Sequence, residues 1–320
     1  MPAVPDGGVF GLDRGSGEAA SGLPGGWAAG PGGGPGGHPL PLNVPDLTSP
    51  HALREILSRH GIRLRKGLSQ HFLVNRGILE RIVTAIAPRG DEVAVEVGAG
   101  IGTLTLALAP RIRRLYAVEI DRRLVSLLRE LSAGFPNVEV VEADFLELPL
   151  ARFGEDLLLV GNIPYRITSP LLLKLIREWE RLNRGVFTVQ REVAEKLTAP
   201  PGHGVSRLGM HLRAFFQVEF LFVVPREAFL PPPRVDSAVV RLWRLPHPRI
   251  ASPPEAFEAL LRAVFSARRK TLLNALRRAY PEERVRRALA ELGLDPRVRG
   301  ETLPLEVLDR LSLLLGGKDV

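Results

Sequence analysis

From residue 47 onward two hydrophobic periods alternate along the chain. Short apolar runs at 93–97, 114–120, 138–142, 157–161 and 186–189 have strand length. Between them, at 103–108, 122–131 and 170–182, apolar residues return every three to four positions. A continuous apolar run fits a strand buried on both faces, and a 3.6-residue period fits a helix with one buried side. In the stretch 170–182 the buried side carries Leu171, Leu172, Leu175, Ile176 and Trp179. Two more helical stripes come first. One holds Leu53, Ile56 and Leu57 after Ser49-Pro50 and stops at Gly61; the other holds Ile78, Leu79, Ile82, Val83 and Ile86 and stops at Pro88. Strands that alternate with helices predict a parallel sheet covered on both faces.

The order then changes. After a helix at 192–197, strands at 218–224 and 237–242 are joined by a Pro-rich turn. Beyond Pro253 the pattern is purely helical. One long helix is expected over 256–279, with Leu261, Val264, Phe265, Leu272, Leu276 and Ala279 on its stripe, and shorter ones at 283–292 and 304–315. Four prolines within 246–254 mark a boundary. Residues 1–45 hold 14 Gly and 8 Pro and show almost no period. Such a segment buries too little apolar surface to offset its ordering entropy, so it reads as a disordered tail. The expected organisation is a tail over 1–45, an α/β domain over 46–248 and a helical domain over 249–320.

Composition removes several classes of chemistry. The 320 residues include no cysteine, which excludes disulfides, thiolate metal sites and a cysteine nucleophile. The seven His show no H-E-x-x-H spacing or other close ligand cluster, so no metal is expected. No apolar run approaches 18 residues and no basic-then-apolar leader opens the chain, so a cytoplasmic protein without a membrane span is expected. The net charge of +8 is unevenly spread: −2 over residues 1–45, +4 over 46–240 and +6 over 241–320. The helical end therefore suits an anionic partner. Its cations are mostly Arg, whose planar fork matches phosphate, although the chain's excess of 38 Arg over 5 Lys also fits a GC-rich coding sequence.

The candidate chemistry starts where the strand at 93–97 ends in Gly98-Ala99-Gly100-Ile101-Gly102-Thr103. Glycines here let the backbone approach a ligand at the start of a helix, outside the carboxyl end of a parallel strand. The spacing departs from the dinucleotide fingerprint, because Thr103 stands where its third Gly belongs, and no P-loop Lys follows. Glu119 closes the next strand, where a carboxylate accepts from ribose hydroxyls. Asp144 follows the third strand, where it accepts from an adenine amine. Two acids beside a glycine loop favour a ribosyl-adenine cofactor. With Glu96 before the loop, the combination is similar to S-adenosylmethionine-dependent methyltransferases more than to NAD enzymes.

The fourth strand ends in Asn162-Ile163-Pro164-Tyr165. Pro164 fixes the turn and keeps Ile163 extended. The Asn162 side-chain oxygen and the Ile163 carbonyl are then placed to share a pocket, and Tyr165 to lay its ring on a planar base. Two acceptors on an aromatic amine favour the positive charge that develops as nitrogen is alkylated. The tetrapeptide resembles the Asn/Asp-Pro-Pro-Tyr signature of amino-methyltransferases. Its aliphatic second residue resembles the ribosomal RNA adenine N6-dimethyltransferases.

Three further segments carry that resemblance: Gln70-His71-Phe72-Leu73, the proline-rich run from Phe229 to Val240, and Phe265-Ser266-Ala267-Arg268-Arg269-Lys270-Thr271-Leu272. Together the matches span about 66–277, and the last two favour the housekeeping small-subunit enzymes over those acting on large-subunit RNA. The resemblance implies an α/β, Rossmann-like class I methyltransferase fold with a mostly parallel seven-stranded sheet and a small all-α carboxyl-terminal domain. It implies S-adenosyl-L-methionine as cofactor and two dimethylated adjacent adenosines in a hairpin loop near the 3′ end of small-subunit rRNA. The expected partners are that RNA and the assembling small subunit, met by a monomer. Carried across residue by residue, His71, Leu73, Gly98, Gly100, Glu119, Asp144 and Asn162 bind the cofactor. Asn162, Ile163, Pro164 and Tyr165 present the base, with Phe229 on its other face. One residue departs from the family pattern: His71 stands where Asn is frequent.

RNA is expected along the helix at 262–278, on Arg268, Arg269, Lys270 and Arg277, with Lys270, Asn274 and Arg277 on one side. Arg65, Lys66 and Arg191 are secondary candidates. The remaining alternatives are a DNA adenine or small-molecule amine methyltransferase, an assembly factor with little catalysis, and a dinucleotide oxidoreductase. The last is disfavoured by Thr103 and by the tetrapeptide.

Overall fold

The computed structural model describes residues 45–62, 70–266 and 270–316. The tail expected over 1–45 lies outside them up to residue 44, as do Arg65, Lys66, Arg268 and Arg269. The chain enters through α1 (Pro50–Arg59), whose amides are capped by Ser49, and a short strand β1 (Phe72–Leu73). Helix α2 (Arg76–Ile86), capped by Asn75, leads into β2 (Val93–Val97), α3 (Thr103–Leu108), β3 (Arg114–Glu119), α4 (Arg122–Ser132) and β4 (Val138–Glu142). Next come β5 (Leu157–Asn162), α5 (Thr168–Arg177), β6 (Leu182–Gln190), α6 (Arg191–Thr198), α7 (Arg207–Arg213), β7 (Phe216–Val224), β8 (Phe229–Leu230) and β9 (Ser237–Arg244). The chain finishes in α8 (Pro254–Phe265), α9 (Leu272–Leu276), α10 (Glu282–Glu291) and α11 (Leu305–Gly316).

Seven strands form one sheet in the order β4-β3-β2-β5-β6-β9-β7. The five from β4 to β6 are parallel, and β9 runs antiparallel to both β6 and β7. The chain winds outward from β2 through β3 to β4, then restarts on the other side with β5. A crevice therefore opens between β2 and β5 at their carboxyl ends, the place where such sheets bind ligands. The ribbon β1–β8 stands apart from the sheet as an antiparallel pair. Among the described residues no helix is long and apolar enough to cross a membrane.

Two expected helices are shorter than their apolar pattern. The stretch 170–182 stops at Arg177, and β6 begins at Leu182, well before the strand expected at 186. Arg184 hides that strand, because a charge interrupts the apolar run. In the fold it is 2% exposed. Its guanidinium is held by the Glu92 carboxylate and by the carbonyls of Ile86 and Ala87, with its carbon 5.6 Å from the Trp243 ring centroid. A buried charge with this many partners is tolerated, whereas removing one partner strands the other. The long helix expected over 256–279 is broken. Helix α8 ends at Phe265, and α9 starts afresh after Thr271, whose hydroxyl accepts from Asn274 N at 3.4 Å. The amides of Leu272 and Leu273 bond the Val298 and Pro296 carbonyls rather than the preceding turn. Lys270 consequently lies outside any helix, and it does not share a helix face with Asn274 and Arg277 as expected.

The helical end shares its core with the sheet. Phe257, Leu260 and Leu308 join the cluster that contains Leu159, Leu175 and Phe215. His211 of α7 sits in that seam, its ring 5.9 Å from Phe215 and 6.2 Å from Phe257. Burial pushes its imidazole pKa down to about 4. Asp309 of α11 ties the proline-rich connection down, accepting from Ala251 N at 2.9 Å and from Ser252 N at 3.0 Å.

Candidate active site

Gly98, Gly100 and Gly102 all adopt positive φ, at 71°, 61° and 92°. A Cβ on Gly98 would stand 3.4 Å from the Pro164 ring, and one on Gly100 would stand 3.3 Å from the Phe72 ring. The loop is thus bare main chain, squeezed between the tetrapeptide and β1, at the amino end of α3. It borders a cavity of about 360 Å³, within the range of small-ligand sites. His71, Leu73, Glu119, Asp144, Asn162 and Tyr165 line the same cavity.

Two of the acids on this wall, Glu119 and Glu96, are buried and held by hydrogen bonds. Glu119 is 7% exposed at the end of β3. One oxygen accepts from Gly100 N at 2.8 Å, and the other accepts from Ile120 N and Asp121 N at 2.8 and 2.9 Å. A carboxylate has about four lone-pair sites, so these three donors lock its direction and leave room for a hydroxyl. Asp144 accepts from Leu146 N at 2.9 Å through one oxygen; the other has no protein partner among the described residues. Glu96 is deeper, and accepts from Thr105 Oγ1 at 2.5 Å. Burial, with some help from the charge of Glu119, raises its pKa to about 8, so it is largely neutral at pH 7. Thr103 Oγ1 is a buried hydroxyl on the cavity wall with no partner among the described residues.

Asn162 ends β5. Its Nδ2 donates to the His71 carbonyl at 2.8 Å. A carbonyl only accepts, so this bond fixes the amide orientation and leaves Oδ1 as the acceptor available to the cavity. Ile163 is buried, with its amide on the Thr188 carbonyl at 3.0 Å. Tyr165 is half-buried, and its hydroxyl lies 2.8 Å from Ser237 Oγ. Burial raises the phenol pKa, which keeps the ring neutral.

Phe229 is the residue expected on the other face of the base. It is 3% exposed, paired opposite Leu73 in the β1–β8 ribbon, and joins the core cluster that holds Ile78 and Val160. Its ring does not line the cavity. The ring beside Tyr165 is His71, with centroids 5.9 Å apart and planes tilted by 32°.

The residues brought together are therefore His71, Leu73, the glycine loop, Glu119, Asp144 and the Asn162–Tyr165 tetrapeptide. Lys270 and Arg277 lie exposed at the helical end, outside this wall. Sequence reasoning missed Ile120, an apolar side chain 55% exposed beside Glu119 and on the cavity wall. An apolar residue left open at a strand end is a surface for a ring, and its place directly after the strand-closing acid is the pattern that could have flagged it. It also missed the clasp in which Gln70 Nε2 donates to Asp121 at 3.0 Å. Hydrogen bonds from Arg123, chiefly, and from Gln70 hold the Asp121 pKa down to about 2.

The profile of the family described as ribosomal RNA adenine dimethylase matches residues 61–312, from just after α1 into α11. The chain belongs to the ribosomal RNA adenine dimethylase family. A relative from Geobacillus thermodenitrificans, named ribosomal RNA small subunit methyltransferase A, is 39% identical over 281 residues, covering 83% of this chain and 96% of its own. The protein of that name from Bacillus mycoides is 37% identical over the same length. Among solved structures, the 23S rRNA methyltransferase ErmE is 34% identical with a TM-score of 0.61, covering 77% of this chain and 100% of its own. A dimethyladenosine transferase from Plasmodium falciparum is 29% identical with a TM-score of 0.64, covering 74% and 94%. As an adenine dimethylase the chain is a Rossmann-like methyltransferase, and the candidate site lies at the carboxyl ends of its parallel strands, beside β2 and β5.

Proposed function

We propose that this dimethylase transfers methyl groups from S-adenosyl-L-methionine to N6 of two adjacent adenosines in a hairpin loop near the 3′ end of small-subunit rRNA. It acts as a cytoplasmic monomer on the assembling small subunit. The observation that carries this reading is the Asn162 amide, locked by the His71 carbonyl beside the bare glycine loop. The small-subunit target is supported by the name shared by the relatives at 37–39% identity.

The wall suits the cofactor on its own terms. Main chain at Gly98 and Gly100 admits close approach, Glu119 has acceptor capacity for a ribose hydroxyl, and Asp144 has a free oxygen for an adenine amine. Ile120 offers an apolar face for a ring. Thr103 Oγ1 lacks a partner that a bound polar group supplies. When bound, the cofactor supplies a methyl group made electrophilic by its sulfonium.

The chain's own residues then act on the base. The adenine N6 lone pair is delocalised and a poor nucleophile. Asn162 Oδ1 and the Ile163 carbonyl accept its two N–H groups, which favours the cationic nitrogen that develops during attack. Tyr165, kept neutral and held by Ser237, presents a ring to the base. Fixed placement of nitrogen against the methyl group supplies much of the remaining acceleration. No strong base is needed beforehand, because the product ammonium is acidic and loses its proton to water.

The test incubates the protein with labelled S-adenosylmethionine and unmodified small subunits, then maps methylated nucleotides. Two adjacent dimethyladenosines are expected; no dimethyladenosine refutes the reading. A large-subunit target is the second reading, favoured by the 34% identity to ErmE. Parallel arms with large-subunit rRNA and with DNA decide between them, since label in either arm and none in small subunits reassigns the substrate.

A further inference from the structure

We infer that His71 is a positioning residue for the second methyl transfer, acting through the hydrogen bond from its Nδ1 to the Pro231 carbonyl. The inference rests on the dimethylase reading above. Three contacts converge on this residue. Its carbonyl accepts from Asn162 Nδ2 at 2.8 Å, its Nδ1 lies 2.7 Å from Pro231 O, and its ring stands 5.9 Å from that of Tyr165. Pro231 O only accepts, so Nδ1 carries the proton.

The register explains why a side chain is used here. In the β1–β8 ribbon Leu73 pairs with Phe229 and Phe72 with Leu230, and Val74 N donates to Ala228 O at 2.8 Å. The next pair in register is His71 with Pro231. Proline has no amide to donate, so the main-chain ladder stops and the imidazole takes over the connection. The proline-rich turn is thereby tied to the residue that orients Asn162. The far end of the same turn supplies Ser237, which holds the Tyr165 hydroxyl at 2.8 Å. His71 thus closes a loop of contacts around the base-binding face.

The second transfer depends on that loop more than the first. Adenosine offers two N–H groups to Asn162 and Ile163, whereas N6-methyladenosine offers one. With one anchor gone, the base relies on the walls, and small errors of placement at the reacting atoms are costly. Loosening the turn should therefore penalise the monomethyl substrate selectively.

A substitution series separates the donor from the ring. In His71→Asn the amide nitrogen lies as many bonds from Cβ as Nδ1 does, so it still reaches Pro231 O but brings no ring. His71→Phe keeps a ring and removes the donor, and His71→Ala removes both. The two transfer rates are measured in single turnover on unmodified small subunits, with digestion and mass spectrometry of the nucleosides. In His71→Phe and His71→Ala the ratio of second to first rate should fall about fivefold to tenfold, the worth of one buried hydrogen bond, with monomethyladenosine accumulating. His71→Asn should keep the ratio within about twofold of the parent. A purely structural lesion lowers both rates together and leaves their ratio unchanged. A parental ratio in His71→Phe, or an Asn variant as defective as the Phe variant, overturns the inference. If the Ala variant fails to fold, the Phe and Asn pair decides alone. A parent protein that makes no methyladenosine refutes the dimethylase reading; one that dimethylates, with unchanged ratios in all variants, refutes only the role of His71.

Discussion

The crevice between β2 and β5 and the helical end beyond Pro253 treat charge in opposite ways. On the floor of the crevice charge is buried or tied down: Glu96 is 2% exposed and largely neutral, and Glu119 is gripped by three main-chain donors, while Asp144 lies exposed at its rim. At the helical end Lys270, Arg277 and Arg278 stand exposed. Fixed dipoles in a water-poor site cost no reorganisation when charge develops, so a few of them can supply most of a rate enhancement. Solvated cations attract phosphate over a longer range, are screened by salt, and each contributes modestly. Chemistry and RNA grip should therefore be separable by mutation.

The largest expected effect tests the first half of that contrast. Asn162→Ala should lower the transfer rate by about 10²–10³-fold, as removal of one preorganised group at a developing charge does. Cofactor binding by equilibrium dialysis should change only severalfold. Near-normal turnover would show that the amide is not the acceptor. Glu119→Ala comes next. Without charged hydrogen bonds to a ribose, cofactor binding should weaken by about 10–100-fold. RNA affinity measured by filter binding should stay within twofold of the parent. A parallel fall in RNA affinity would mean that the two regions are not independent.

The same contrast explains what could be read in the sequence. The glycine loop, the strand-closing acids and the tetrapeptide are local: each lies within one strand–turn–helix step, so spacing alone located Gly98, Glu119, Asp144 and Asn162 on one wall. Contacts between distant segments left no such trace. The burial of Phe229 is set by its pairing with Leu73, and the place of His71 by its pairing with Pro231; neither pairing can be counted along the chain. Arg184 shows the same failure in the fold, since its partners Glu92, Ile86 and Ala87 lie nearly a hundred residues away. At the helical end the apolar stripe ran on through 256–279 because α8 and α9 both face one core, and the stripe does not register the break between them.

The helical end predicts a smaller, salt-dependent effect. Replacing Lys270 and Arg277 together with Ala should lower the slope of log affinity against log salt by about 0.7–0.9 for each phosphate that is no longer neutralised. The effect should appear in KM for RNA far more than in kcat. A slope unchanged across 50–200 mM salt would remove both residues from the RNA interface.

The smallest effect concerns protons, and its sign separates the two regions again. The folded chain holds a proton on Glu96 up to about pH 8, while an unfolded chain releases it near the ordinary glutamate value of 4.5. The folded state then binds more protons across that window, so this group makes stability fall as pH rises from 4.5 to 8. His211, in the seam with the helical end, works the other way. Its folded pKa of about 4 lies below the ordinary histidine value of 6.5, so the unfolded chain binds more protons between them and stability rises with pH over that interval. Between pH 6.5 and 8 His211 no longer contributes, and the decline belongs to Glu96. Thermal midpoints measured across pH 6.5–8 should therefore decline in the parent and flatten in Glu96→Gln, while the Lys270 and Arg277 variant keeps the parental decline. An equal decline in Glu96→Gln would mean that Glu96 is already ionised when folded. The crevice would then hold two buried negative charges, Glu96 and Glu119, and a cationic cofactor would be drawn in by charge rather than by shape and hydrogen bonds.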